Sequence, residues 1–189
     1  RGMRERRAMM RGHDAWQASG LHLPARLPRR RGPRPATTTM NPHMQIDQQP
    51  ARPLSRDLIE AIRGLPGVEL APSRRAPPRT IGFHLRAEHA GGPPEALMLG
   101  SEFAHVHPGP DHSLHLTLPE PLRTEAIAAG WAEPHPLAGY PTVSRAIVLL
   151  YAPRDDGELA LVSALVRASW AYAHDRDEPH ASERAGDIR

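Results

Sequence analysis

The stretch 102–119, EFAHVHPGPDHSLHLTLP, limits the fold more than any other part of the chain. Apolar and polar residues alternate along it with the period of two that a β-strand imposes, on both sides of a Pro/Gly/Asp loop. Phe103, His105 and His107 fall on one side of the first strand, Ala104 and Val106 on the other. Ser113, His115 and Thr117 alternate in the same way with Leu114, Leu116 and Leu118. The pattern predicts a hairpin with one apolar face and one imidazole face, and it holds four of the chain's twelve histidines. Residues opposed across such a pair have Cβ atoms roughly 4.5–5.5 Å apart, so His115 comes near His105 or His107, the register being unspecified. In a regular strand Glu102 points away from these rings and joins them only through a twist or a bulge.

The flanking segments supply the rest of a domain. Leu58, Ile59, Ile62 and Leu65 form a helical stripe behind Ser55, a good N-cap, with Leu54 and Ile59 as a hydrophobic staple and Gly64 and Pro66 as the stop. Segments 68–71 and 80–85 read as strands around a Pro/Arg-rich loop at 72–79, and 96–99 as a short strand leading into the hairpin. A second helix starts at Pro119 and Pro121 and ends at Gly130; 131–135 and 146–151 return as strands, the latter buried on both faces. Asp155 and Glu158 have capping-box spacing ahead of Leu159, Val162, Leu165, Val166, Ser169 and Trp170, a long amphipathic helix. This order predicts an α+β fold: a single antiparallel β-sheet with about three helices packed on one face, the other face being partly open.

Charge divides the chain unevenly. Residues 1–53 carry eleven Arg against three acidic residues, with seven Pro; residues 54–189 carry thirteen Arg against eighteen Asp or Glu. The expected organisation is a disordered Arg/Pro-rich tail at 1–53, a folded domain at 54–174 and a disordered tail at 175–189. The first residue is Arg, which suggests a fragment, a processed form or an over-extended gene model, with Met40 and Met44 as candidate starts. Nucleic-acid contact is expected only as nonspecific attraction of the basic tail, because the body is acidic. No cysteine is present, which excludes disulfides, thiolate catalysis and Cys-based zinc sites. No apolar run reaches the roughly 18 residues of a spanning helix. The expected setting is soluble and cytoplasmic, with no membrane partner and an oligomeric state the sequence leaves open.

The histidines admit three chemistries. An imidazole with ordinary pKa near 6.5 can take the proton of an enol or phenol at neutral pH. Two His at i and i+2 with a third across a hairpin can instead hold zinc, or iron with Glu102 as a further ligand. They can also be plain hydrogen-bonding residues of the scaffold. His84, His89 and His135 are expected to be scaffold or surface.

The run GSEFAHVHPGPDHSLHLTLPEPLRTEAIAAGWAEPHPLAG, followed by AIVLLYAPRDDGELALVSALVRASWAYAH, resembles the luciferase-domain family, which includes fungal luciferases and many small bacterial proteins. The specific parts are Glu102 with His-x-His-Pro at 105–108, Ser113-Leu114-His115, Gly130-Trp131-Ala132-Glu133 with His135-Pro136, and Tyr151-Ala152-Pro153-Arg154. The fungal members add molecular oxygen to a hydroxylated pyrone without a known metal or organic cofactor. The resemblance therefore implies a small, aromatic or enolic ligand beside the hairpin and a cofactor-independent oxygenation or proton transfer. The expected catalytic residues are His105, His107, His115 and Glu102, with no metal and no cofactor. Trp131 and Tyr151 are expected to line the pocket, and Arg154 to meet an anionic substrate oxygen unless it pairs with Asp155, Asp156 or Glu158. The alternative from another class is a non-catalytic ligand-binding or interaction module of the same fold.

Overall fold

The computed structural model describes residues 23–50, 54–74 and 76–174. The tail segments 1–22 and 175–189 lie outside the described residues. The elements run α1 (Ser55–Arg63), β1 (Val68–Pro72), β2 (Ile81–Leu85), two single-turn 3₁₀ helices (Ala87–His89 and Pro94–Ala96), β3 (Glu102–Val106) and β4 (Leu114–Thr117). They continue with α2 (Glu120–Ala128), β5 (Ala132–Pro134), β6 (Ile147–Leu150) and α3 (Asp156–His174). The strands form one six-stranded sheet in the order β1-β2-β3-β4-β6-β5, with every neighbour antiparallel. The fold is α+β, as the element order implies.

All three helices share one hydrophobic core with one face of the sheet. Leu58 and Ile62 of α1, Leu122 and Ala126 of α2, and Val162, Leu165 and Val166 of α3 meet Phe83, Ala104, Val106, Leu114, Leu116, Val148 and Leu150 there. Helix α3 crosses β2, β3 and β4 and packs along α1. Its start is fixed by the Asp155 carboxylate, which accepts the Glu158 N–H at 2.8 Å. Glu158 does not return the bond that a full capping box requires, because its own carboxylate is taken by Arg30 and Arg154. The N-cap of α1 is Leu54, without a side-chain cap; the Ser55 hydroxyl lies 3.2 Å from His112 Nδ1 instead. Segment 96–99 is no strand: Pro94 starts a 3₁₀ turn, and a single bridge joins Leu99 to Glu102.

The period-two reading of the hairpin breaks at β3. Phe83 pairs with Ala104 and His84 with Glu102, so Phe103 is the extra residue of a β-bulge. The bulge turns Phe103 into the core against Phe83, ring centroids 6.2 Å apart. Phe103 therefore leaves the imidazole face, and Glu102 joins it.

Residues 23–50, expected to stand outside the domain, pack on it. Leu27 enters the core, and its N–H is accepted by Glu125 Oε1 at 2.7 Å. Gln45 bridges the β3–β4 loop and the segment after β6: its N–H donates to Asp111 Oδ1 and its Oε1 accepts the Ala152 N–H, both at 2.9 Å. The apolar signal of this segment is too sparse to reveal the packing from sequence, since much of its attachment is polar. No helix among the described residues is long and apolar enough to cross a membrane.

Candidate functional site

The face of the sheet opposite the helices carries a cluster of five imidazoles. His105 and His115 are directly opposed on β3 and β4, and His105 Nε2 lies 3.0 Å from His115 Nδ1. His115 Nε2 lies 3.3 Å from Nδ1 of His43, which residues 23–50 bring over the sheet. The His107 ring stands 4.9 Å from His115, and the His135 ring 4.8 Å from it, centroid to centroid. His105, His107, His115 and His43 are all buried.

Three carboxylates hold the outer nitrogens. Glu102 Oε1 is 2.7 Å from His105 Nδ1, Asp111 Oδ2 makes a short bond with His107 Nδ1, and Glu133 Oε1 is 2.7 Å from His43 Nε2. Glu133 also accepts from the Thr37 and Tyr151 hydroxyls at 2.6 and 2.8 Å. Burial pushes each carboxyl pKa up. The hydrogen bonds more than offset it, from His105 on Glu102, His107 on Asp111 and His43 on Glu133, and all three end below the usual carboxylate range. Burial lowers the pKa of His105 against the pull of Glu102. It lowers that of His115 well below the ordinary value, helped by the neighbouring imidazoles, and that of His135 to about 4. Burial thus favours the neutral form of His105, His115 and His135, beside three ionised carboxylates.

These tautomers follow from the partners. An ionised carboxylate only accepts, so His105 and His107 keep their protons on Nδ1 and present Nε2 lone pairs. His107 Nε2 is buried without a hydrogen-bond partner. His135 is the reverse case: its Nδ1 accepts the Leu137 N–H at 3.1 Å, so its proton sits on Nε2.

Above the cluster lies a cavity of about 930 Å³, at the upper end of the range for small-molecule sites. Its floor includes Glu102, His105, His107, His115, His43 and His135; its walls come from Ser73, Ala76, Pro77 and Pro78, from Leu137, Tyr140, Pro141, Thr142 and Val143, and from Met98, Leu99 and Ile147. Gly82 makes room for the floor. A Cβ there would meet His84 Nε2 at 2.7 Å, the Ala71 carbonyl oxygen at 3.2 Å and Glu102 Cδ at 3.3 Å. Gly82→Ala should therefore cost about 1–3 kcal/mol and disturb the Glu102–His105 bond. A urea midpoint and the His105 ring NMR signals check this, and an unchanged midpoint with unchanged signals would count against the close approach.

Of the residues expected at the site, the structure brings together Glu102, His105, His107 and His115 and keeps three others away. Trp131 packs under the Arg30 guanidinium, 5.9 Å from its centroid, and gives its indole N–H to the Pro28 carbonyl at 2.6 Å. The Tyr151 ring is fully buried behind the sheet end and reaches the cluster only through Glu133. Arg154 pairs with Glu158, its Nε donating to Oε1 at 2.9 Å. None of the three lines the cavity. His135, expected to be scaffold, does line it. His43, Asp111 and Glu133 were not anticipated at the site. Glu133 stood inside a quoted motif, and Asp111, four residues after His107, fitted a hydrogen-bonding pair, whereas His43 lay in a segment without any strand or helix pattern.

A family model described as Luciferase domain matches residues 100–169, which hold β3 to β6 and most of α3. A luciferase of Armillaria ostoyae is 30% identical to this chain over 77% of it and 60% of that protein. Over these elements the chain is similar to the luciferase-domain family. Luciferases of Armillaria mellea and Neonothopanus nambi are each 40% identical over 38% of this chain and 27% of their own length. The chain spans at most about three fifths of the length of these curated relatives. No solved structure matches it significantly.

Proposed function

We propose that the cavity binds a small, aromatic or enolic molecule and that the histidine floor holds and ionises its acidic oxygen, leading to oxygenation or proton transfer. One observation carries this reading. Apolar loops enclose a volume fit for a planar ring system over a floor that presents imidazole lone pairs and one imidazole N–H. An anion formed there is a better electron donor to oxygen than the neutral enol, which is why ionisation comes first. His105, His107 and His115 touch the ligand in this reading, His135 donates its Nε2–H to it, and Glu102 positions His105. The relatives named as luciferases support oxygen as the co-substrate. Trp131, Tyr151 and Arg154 have no place in it.

The test uses the full chain as purified and a hydroxylated pyrone as probe. Saturable quenching of tryptophan fluorescence together with oxygen uptake is the expected result. His105→Gln should lower turnover by about 10²–10⁴-fold while circular dichroism stays unchanged. Binding without turnover would make this a ligand-binding module, and no binding by any enolic or phenolic probe would overturn the reading.

A further inference from the structure

The hydrogen bonds around His115 do not close on themselves. His105, His115 and His43 make a line of four links: Glu102 to His105, His105 to His115, His115 to His43, and His43 to Glu133. Beside this line His107 Nε2, with its residue only 2% exposed, has no partner at all, and a buried polar atom left unpaired is costly. It shares the cavity floor with His105 and His115, whose facing nitrogens stand 3.0 Å apart.

We infer that His105, His107 and His115 form the binding site of a divalent first-row transition-metal ion, of the zinc or iron class, at the floor of the cavity. An ion held by His105 Nε2, His107 Nε2 and His115 Nδ1 gives His107 Nε2 its partner and takes the place of the His105–His115 contact, so that His115 donates from Nε2 to His43 Nδ1 and His43 from Nε2 to Glu133.

The geometry fits. Ligand nitrogens of the three residues all lie within 4.8 Å of one another. Two nitrogens each bound at about 2.0–2.1 Å stand roughly 3.0–3.4 Å apart in a tetrahedral or facial set, and His105 Nε2 and His115 Nδ1 are 3.0 Å apart. Metal-bound histidines pass their other N–H to a carboxylate or carbonyl; here Glu102 receives that of His105, Asp111 that of His107, and Glu133, through His43, that of His115. A second triple, His43, His115 and His135, is equally compact. It is less suited, because His135 Nδ1 accepts a backbone N–H and its proton already occupies Nε2. Three neutral imidazoles leave the ion its full charge and at least one open position toward the cavity, the arrangement of catalytic rather than structural sites.

The inference rests on the cavity being the ligand site; the ion, seated on the lone pairs of His105, His107 and His115, replaces direct contact by these imidazoles as the group that favours an ionised oxygen there. It differs from the cofactor-free reaction that the family resemblance implies.

Metal is measured with no organic ligand present. The full chain is stripped with a chelator and titrated with Co²⁺, whose visible d–d bands report coordination by nitrogen, and the purified protein is assayed for bound metal by mass spectrometry. The expected result is one Co²⁺ per chain, displaced by Zn²⁺, with the bands lost in His105→Gln and in His107→Gln and kept in His135→Gln. Glu102→Gln and Asp111→Asn should each weaken binding about 10–100-fold, a loss that a purely structural pair would not produce. Folded wild-type protein that binds neither Co²⁺ nor Zn²⁺ overturns the inference without recourse to any variant. Binding that survives His107→Gln but fails in His135→Gln also overturns it, since it assigns the ion to the other triple. A metal-free protein that still turns over the pyrone would sink this inference alone and leave the proposed function standing.

Discussion

Replacing Glu158 with Ala should lower the unfolding free energy by about 3–5 kcal/mol, the cost of removing one member of a buried ion pair. For a domain of this size the thermal midpoint should then fall by roughly 10 °C. Glu158 sits at the first turn of α3, where its carboxylate accepts Arg30 Nη2 at 3.0 Å, Arg154 Nε at 2.9 Å and the Arg154 backbone N–H at 2.9 Å. Its side chain is 9% exposed, that of Arg30 3%. The Arg30 guanidinium lies between Trp131 and Tyr151, 5.4 Å from the latter's centroid, so it cannot swing to water without opening the packing of 23–50 on the sheet. Loss of Glu158 strands that cation in an apolar slot. The pH dependence has a defined sign. Burial raises the Glu158 pKa, but bonds from Arg154 and the charge of Arg30 outweigh it and hold it below 4.5. A group whose folded pKa is depressed contributes its full stabilisation above its unfolded pKa and loses it as pH falls through the folded value. The gap between wild type and Glu158→Gln should thus be widest at neutral pH and narrow below 4.5. Urea midpoints at neutral and acidic pH read both effects, and equal midpoints at neutral pH would show the pair to be idle.

The same pair explains why the sequence misleads about where the domain begins. From Leu54 onward the elements were legible, because strands and helices announce themselves through apolar periods of two and 3.6 residues. β6 reads as an unbroken apolar run and is buried along its whole length; α3 reads as a stripe and packs through Val162, Leu165 and Val166. Residues 23–50 have no such period. They are held by single anchors, Leu27, Arg30, His43 and Gln45, each meeting a partner about 66 to 128 positions away. An arginine that will be buried looks in sequence like one that will be solvated. His43 went unseen for this reason, and with it the partner that draws Glu133 into the site.

Tyr151 shows the converse error, while Arg154 takes the ion pair with Glu158 that its sequence context offered as the alternative to substrate contact. A charged and an aromatic residue beside a buried strand suggest substrate contact, but a strand end is also where the sheet meets the helix that follows. Arg154 faces that junction and pairs with Glu158, whereas the Tyr151 hydroxyl donates to Glu133 on the neighbouring β5. Tyr151 retains an indirect connection to the cluster. Burial and the accepting Glu133 carboxylate push its phenol pKa up, so it stays a donor and holds Glu133 ionised for His43.

Phe103→Ala is the variant that joins fold to site, and it should cost about 3–5 kcal/mol, as expected for removing a fully buried aromatic ring. The bulge exists because β3 supplies two residues, Phe103 and Ala104, where β2 supplies Phe83. With the ring seated against Phe83 and under α3, whose Ser169 hydroxyl donates to the Phe103 carbonyl at 3.2 Å, the backbone is held in the turn that carries Glu102 to the imidazole face. Without the ring, nothing on the core side favours two consecutive inward residues, and a regular strand becomes competitive. In that strand Glu102 faces away from His105 and the His105 tautomer loses its anchor. Phe103→Leu fills most of the volume and should cost less than half as much. The variants are compared by denaturant midpoint and by the nitrogen-15 shifts of the His105 ring, which distinguish a proton on Nδ1 from one on Nε2. Phe103→Ala is expected to lose stability and the Nδ1–H preference together, and Phe103→Leu to keep the preference. Should Phe103→Ala unfold at the wild-type midpoint, the ring is not in the core and the bulge cannot be what brings Glu102 to His105.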